Sequence, residues 1–191
     1  MRDNPAQMAF LGNTARSILR AINRREDRMG IDGGAMKPGF ETDFWKDAAA
    51  RKGWDDLVPG EPRRTLPYVL THEAIQRYCR SVGDLHPLYF DEEAAMRSRY
   101  GGLIAPPGIH ILLMFSCTPP DDWMRSPGTI NAGQSWSYNL PARPGDTIRL
   151  QARCLDKFIR KSRLFAVHDN VFFNGRDQVI CSGRGWTIRP Q

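Results

Sequence analysis

An acid and an imidazole stand two residues apart in Gly83-Asp84-Leu85-His86-Pro87-Leu88-Tyr89-Phe90-Asp91. That order of Gly, Asp, His and Pro suits neither a helix interior nor a strand. It suits a fixed turn that presents a carboxylate and an imidazole, the groups used for proton transfer. A second run, Tyr100-Gly101-Gly102-Leu103-Ile104-Ala105-Pro106-Pro107-Gly108, leads to another imidazole, His110. Each residue has a plainer alternative. Asp84 can bond nearby backbone amides of its own turn. His86 and His110 can be hydrogen-bonded structural histidines, His110 on an otherwise apolar surface.

The elements that must position these groups follow from the pattern around them. Thr71 is an N-cap for a helix whose Ala74, Ile75, Tyr78 and Cys79 make one apolar stripe. Glu92–Tyr100 reads as a short helix. Gly108–Cys117 is apolar nearly all round, which marks a buried helix. Before the site, Thr65–Leu70 reads as a strand. After Pro119-Pro120 the period changes to two, over Ile130–Asn139, Asp146–Phe158, Arg163–Phe173 and Gln178–Ile188. Pro144-Gly145, Arg160-Lys161 and Asn174-Gly175 supply turns between them. Consecutive long strands with tight turns predict an antiparallel meander around the buried helix.

The chain has 191 residues, 41% hydrophobic and 25% charged, enough for one domain and an extension. Residues 1–53 form the extension, and residues 54–191 the domain. Met8–Arg25 carries an apolar stripe of Leu11, Ala15, Ile18, Leu19 and Ile22 opposite Arg16, Arg20 and Arg24. Asp3 and the lack of a Ser-rich run argue against a mitochondrial address. A helix packing on a partner or on its own domain is the reading, followed by an ordered, aromatic-containing arm. The longest apolar stretch, Leu103 to Phe115, is broken by Pro106, Pro107 and His110 and is too short to cross a bilayer. Four widely spaced cysteines without a Cys-x-x-Cys pair read as buried residues of a reducing, cytoplasmic setting. The four histidines show no metal-site spacing, and no metal is expected. The net charge is +6 without a long Lys/Arg run or nucleic-acid motif, so no nucleic acid is expected either. The densest basic cluster, Arg160-Lys161-Ser162-Arg163, sits at a hairpin turn. It reads either as a site for an anionic partner such as a phosphorylated cofactor or as a charged loop.

Gly83, Asp84, Pro87, Leu88, Asp91, Ala94 and Ala95 stand in register with a known motif. Over residues 54–189 the chain resembles the MaoC-like dehydratases, the (R)-specific enoyl-CoA hydratases. Gly-Asp-x-x-Pro-Leu-Tyr followed by Gly-Gly-Leu-Ile-Ala-Pro-Pro is similar to the N-terminal, usually non-catalytic half of double hot dog dehydratases of the FAS1-dehydratase type. The resemblance implies an α+β hot dog fold, an antiparallel sheet wrapped around a central helix. It implies that Asp84 orients or activates water for addition to an enoyl thioester. The family's catalytic histidine position holds Tyr89, whose phenol is a poor base near neutrality. His86 stands where the family has Asn. The family's backbone oxyanion donor aligns with Pro107, which has no N–H, leaving the Gly108 N–H to substitute.

The expectations are therefore specific. Asp84 and His86 are the catalytic candidates, Tyr89, Gly108 and His110 line the substrate site, and Arg160, Lys161 and Arg163 are candidates for the carrier's phosphates. The activity is hydration or dehydration of an enoyl or 3-hydroxyacyl thioester of coenzyme A or acyl carrier protein. No cofactor beyond that carrier is implied. The chain acts as a homodimer, or as a degenerate acyl-binding subunit beside another hot dog chain. A hot dog thioesterase and a non-enzymatic acyl-CoA-binding protein are the alternatives.

Overall fold

The computed structural model describes residues 53–126 and 128–189. The extension expected over residues 1–53, with its Met8–Arg25 helix, lies outside them except for Gly53.

The described chain is one five-stranded antiparallel sheet with three short helices. The strands are β1 (Tyr68–Val69), β2 (Ile130–Tyr138), β3 (Thr147–Arg160), β4 (Arg163–Phe173) and β5 (Val179–Arg189). The helices are α1 (His72–Val82), α2 (Glu92–Arg97) and α3 (His110–Ser116), with 3-10 turns at Pro87–Tyr89 and Pro107–Ile109. This is the α+β hot dog architecture, with α3 held against the sheet.

Alternation builds β3. Ile148, Leu150, Ala152 and Cys154 are buried, while Thr147, Arg149, Gln151 and Arg153 between them are exposed. Ile148, Leu150 and Ala152 join Leu113, Met114, Phe172, Ile180 and Cys181 in the main core. A register shift between Cys154 and Asp156 ends the regular alternation, and β3 runs on into an exposed hairpin. Lys161 and Ser162 turn that hairpin with φ of 49° and 57°, both left-handed, as a two-residue turn between twisted strands requires.

The sheet order is β1-β3-β4-β5-β2, which corrects the meander expected for all four long strands. Only β3, β4 and β5 form one. β2 pairs with β5, from Ile130 opposite Ile188 to Tyr138 opposite Cys181. The connection then crosses to the opposite edge, where the Gly145 N–H bonds the Leu70 carbonyl and β1 pairs with β3. Period two fixes which face of a strand is buried, not which strand lies beside it.

The strand expected over Thr65–Leu70 is reduced to Tyr68–Val69. Pro67 has no N–H to give, the Leu66 N–H goes to the Cys117 carbonyl, and the Thr65 hydroxyl donates to the Leu150 carbonyl at 2.7 Å. These bonds draw the segment away from the ladder and toward the end of α3.

The buried helix is shorter than the expected Gly108–Cys117, because Pro107–Ile109 forms a 3-10 turn ahead of it. His110, Leu113 and Met114 are buried, whereas Ile111, Leu112 and Phe115 are half-buried. An all-apolar helix predicts burial on every side, and one chain covers only one face.

A buried polar cluster gathers around Trp123. Arg63 grips Asp122 through two nitrogens at 2.7 and 3.1 Å, and both side chains are under a tenth exposed. Arg63 and Arg189 also lie over the Trp123 ring at 5.1 and 5.0 Å. The Arg189 guanidinium donates to the Trp123 carbonyl and to the Thr129 hydroxyl. The cluster ties Asp122, Trp123 and Thr129 to Arg63 and Arg189.

Candidate functional site

Helix α1 delivers Asp84. Thr71 caps its start by accepting from the Ala74 N–H at 3.1 Å. Gly83 ends it in the left-handed region at φ 77°, and the Asp84 N–H closes on the Cys79 carbonyl at 2.9 Å. The reversal at Gly83 sets the direction in which the Asp84 carboxylate leaves the helix. That carboxylate is exposed, and it helps raise the titration of the Cys79 thiol and of the phenols of Tyr78 and Tyr89.

His86 is exposed, and its Nδ1 accepts the Leu88 N–H at 3.2 Å, capping the Pro87–Tyr89 turn. Its ring centroid lies 5.6 Å from that of Tyr89. Tyr89 is buried, and burial first, with the Asp84 carboxylate second, pushes its phenol above 10. It therefore keeps its proton at neutral pH.

The turn is tied to the run that enters α3. The Ile104 N–H bonds the Leu88 carbonyl at 3.2 Å, and the Ala105 N–H bonds the Ala142 carbonyl at 2.8 Å. Arg143 donates to the Tyr100 carbonyl at 2.6 Å and holds the two glycines of the loop beside the β2–β3 connection. Pro107 then starts the 3-10 turn without an N–H, so the Gly108 N–H is the next donor along the chain. The Gly108 carbonyl accepts from the Tyr78 hydroxyl at 2.8 Å. A Cβ at residue 108 would lie 2.7 Å from that hydroxyl oxygen, so the approach requires glycine. Burial, then Cys79, Tyr138 and Asp84, push the Tyr78 phenol up to about 12.

His110 is 6% exposed. Its Nδ1 lies 3.0 Å from the Pro107 carbonyl and 3.0 Å from the Tyr138 hydroxyl. Its Nε2 is buried and has no partner among the described residues. Burial lowers its pKa below 6.5, with the Pro107 carbonyl opposing, so the ring is neutral. Its other neighbour is Trp136, with ring centroids 4.2 Å apart. Trp136 lies flat across β5, where a Cβ on Gly183 would sit 2.3 Å from the indole, and it stacks on Phe172 at 5.9 Å.

The structure thus brings Asp84, Tyr89, Gly108 and His110 toward one region, with His86 at its turn. Arg160, Lys161 and Arg163 are elsewhere, exposed at the β3–β4 hairpin. Arg163 is nine residues along β4 from Phe172, which is about 30 Å of extended strand. Tyr78, Trp136 and Tyr138 also belong to the region, although residue order marks them only as stripe or strand residues. The signal that could have found them is the shared face of Trp136 and Tyr138, two residues apart on a strand, with Tyr78 directed at a glycine. A surface groove of about 470 Å³ between Pro62–Thr65 and β3 includes none of these groups. Among the described residues, no group of three His, Cys, Asp or Glu is placed to hold a metal ion. No helix of the described residues is long and apolar enough to cross a membrane.

A sheet of this order wrapped on a short central helix, with an aspartate turn beside the helix entry, defines a hot dog protein of the MaoC-like type. Residues 57–182 match the family described as the FAS1-like, dehydratase domain region, and the chain belongs to that family. A UPF0336 protein of Streptomyces avermitilis is 30% identical over 89 residues, which are 44% of this chain; the chain spans 59% of that relative's length. The R-hydratase PhaJ1 from Pseudomonas aeruginosa superposes with a TM-score of 0.60 at 20% identity, over 73% of this chain and 86% of that one. A chain of the HadBC (3R-hydroxyacyl-ACP dehydratase) complex from Mycobacterium tuberculosis gives 0.57 at 19% identity, over 69% and 96%.

Proposed function

We propose that this chain binds an enoyl or 3-hydroxyacyl thioester, carried by coenzyme A or acyl carrier protein, between the Asp84 turn and the entry of α3. The observation that carries the proposal is the tie between the helix that delivers Asp84 and the turn that opens α3, the Tyr78 hydroxyl on the Gly108 carbonyl at 2.8 Å, in a member of a dehydratase family. The chemistry is addition of water across the double bond, and its reverse. Asp84 takes a proton from water as the water oxygen bonds to C3. The C2=C3 pair moves onto the thioester oxygen, which the Gly108 N–H holds. The proton on Asp84 then passes to C2.

The chain is a weak catalyst by itself. Tyr89 stands where an imidazole would exchange protons, and a phenol above 10 cannot accept one at pH 7. Pro107 removes a backbone donor. Each loss costs on the order of 100-fold or more. The chain therefore serves as the acyl-binding member of a hot dog pair. The half-buried face of α3 (Ile111, Leu112, Phe115) and the unpaired edge of β2 support pairing. The HadBC neighbour is itself part of a complex. Arg160, Lys161 and Arg163, exposed at the β3–β4 hairpin, are the proposed contacts for the carrier's phosphates, which lie at the other end of the pantetheine arm from the thioester. The test is crotonyl-CoA hydration by this chain, alone and co-purified with a catalytic hot dog chain. The pair turns over and the single chain is slow. Release of free thiol would show a thioesterase instead.

A further inference from the structure

Pro107 leaves the candidate site short of one donor, and a side chain stands where a second is wanted. His110 Nδ1 is 3.0 Å from two oxygens, the Pro107 carbonyl and the Tyr138 hydroxyl. A carbonyl only accepts. An unprotonated Nδ1 at that distance would set two lone pairs against each other. Nδ1 therefore carries the proton, and its N–H is shared between the Pro107 carbonyl and Tyr138 Oη. A protonated Nδ1 has no lone pair for the tyrosine. The bond to His110 is the one hydrogen bond that the Tyr138 hydroxyl makes among the described residues, so its own proton remains undirected.

That proton is available to a ligand. Tyr138 is 49% exposed although His110 beneath it is buried. Burial raises the phenol above 10, so the proton stays on at neutral pH. Tyr138 and Asp84 both act on Tyr78, whose hydroxyl is on Gly108. Through His110 Nδ1, 3.0 Å from the Tyr138 hydroxyl and 3.0 Å from the Pro107 carbonyl, the hydroxyl stands beside the turn that carries the Gly108 N–H. Trp136, tilted against His110 with ring centroids 4.2 Å apart and seated on Gly183, holds the imidazole in place.

The geometry points to Tyr138 as a hydrogen-bond donor to the carbonyl oxygen of the bound thioester, completing with the Gly108 N–H a two-donor oxyanion site. His110 is its positioning residue. As charge grows on the thioester oxygen, the phenol bond shortens, and the Nδ1–H of His110 stabilises the charge drawn onto Oη. No proton needs to leave the tyrosine. This inference rests on the proposed thioester site, and its test separates the two.

The experiment uses Asp84→Asn, which retains the site without its base, and Asp84→Asn/Tyr138→Phe. Both are titrated with crotonyl-CoA labelled with ¹³C at the carbonyl, and the bound carbonyl stretch is read by infrared difference spectroscopy. The expected result is a band shifted below its free-solution frequency in Asp84→Asn that returns most of the way in the double variant. Thermal midpoints of the two variants should coincide, since only a half-exposed hydroxyl has been removed. An equal shift in both variants, or a bound carbonyl at its free frequency in Asp84→Asn, overturns the role of Tyr138 alone. No binding to either variant overturns the thioester reading, and this inference falls with it. In the single chain, Tyr138→Phe lowers the slow hydration rate on the order of 100-fold with KM little changed.

Discussion

The Tyr78 hydroxyl donates to the Gly108 carbonyl across 2.8 Å, joining α1 to the turn that opens α3. The bond holds at fixed spacing the helix that delivers Asp84 and the turn that carries the candidate oxyanion donor. A Cβ at residue 108 would lie 2.7 Å from the hydroxyl oxygen, so a larger residue there must displace Tyr78.

Gly108→Ala should therefore destabilise the fold by about 1–3 kcal/mol, by overpacking and by displacing the hydroxyl. Tyr78→Phe should cost about 1 kcal/mol. The double variant should be less destabilised than the two single costs added together, because the clash is with the atom that Phe lacks. Urea unfolding of the three variants checks this, and strict additivity would show that the contact is not the cause.

Gly83 should resist replacement for a different reason. Its φ is 77°, and a Cβ there would meet nothing within 4 Å, so Gly83→Ala encounters backbone strain rather than a clash. The expected cost is roughly 1–2 kcal/mol. Asn, which tolerates that region better, should recover part of it. Urea midpoints of the two variants give both values.

Asp122→Ala should be among the most damaging changes. It leaves the buried Arg63 guanidinium without its carboxylate, beside a second buried guanidinium at Arg189. The expected loss is about 3–5 kcal/mol in chemical denaturation.

Acid should weaken the fold through His168. Burial first, and then Arg63, push its pKa down to about 4, with Asp169 opposing, while the unfolded chain titrates near 6.5. Between those values the unfolded state binds the proton and the native state does not, so stability falls as pH falls through that window. The loss is on the order of 3 kcal/mol, complete near pH 4 and absent above pH 7. Urea midpoints of the native chain and His168→Gln from pH 7.5 to 4.5 test it, and the variant should show the shallower pH dependence.

Much of this architecture was legible in residue order. The Thr71 cap, the apolar stripe of α1 and the bounds of β4 follow from local rules, and local rules held there. Partner choice was not legible. β2 carries the same period as β3, yet it pairs across the sheet with β5, because period two is silent about neighbours. Thr65–Leu66 has the look of a strand and peels away, since its donors find Leu150 and Cys117 instead. In the site, Asp84 and Gly108 were visible from motif order. Tyr138 was not, because its role depends on His110, which is 28 residues distant in sequence and adjacent only through the β2–α3 packing. The separation of the Arg160–Arg163 tip from Asp84 likewise needed the strand register.

The central claim is that Asp84 is the base of a weak enoyl-thioester site. Its most direct test is the rate of crotonyl-CoA hydration by the purified chain, measured beside Asp84→Asn, His86→Ala and a binding titration. The expected result is a slow rate that Asp84→Asn abolishes and His86→Ala leaves, with folding and thioester binding intact in both. An ordinary enzymatic rate from the single chain, or a rate that survives Asp84→Asn, would contradict it.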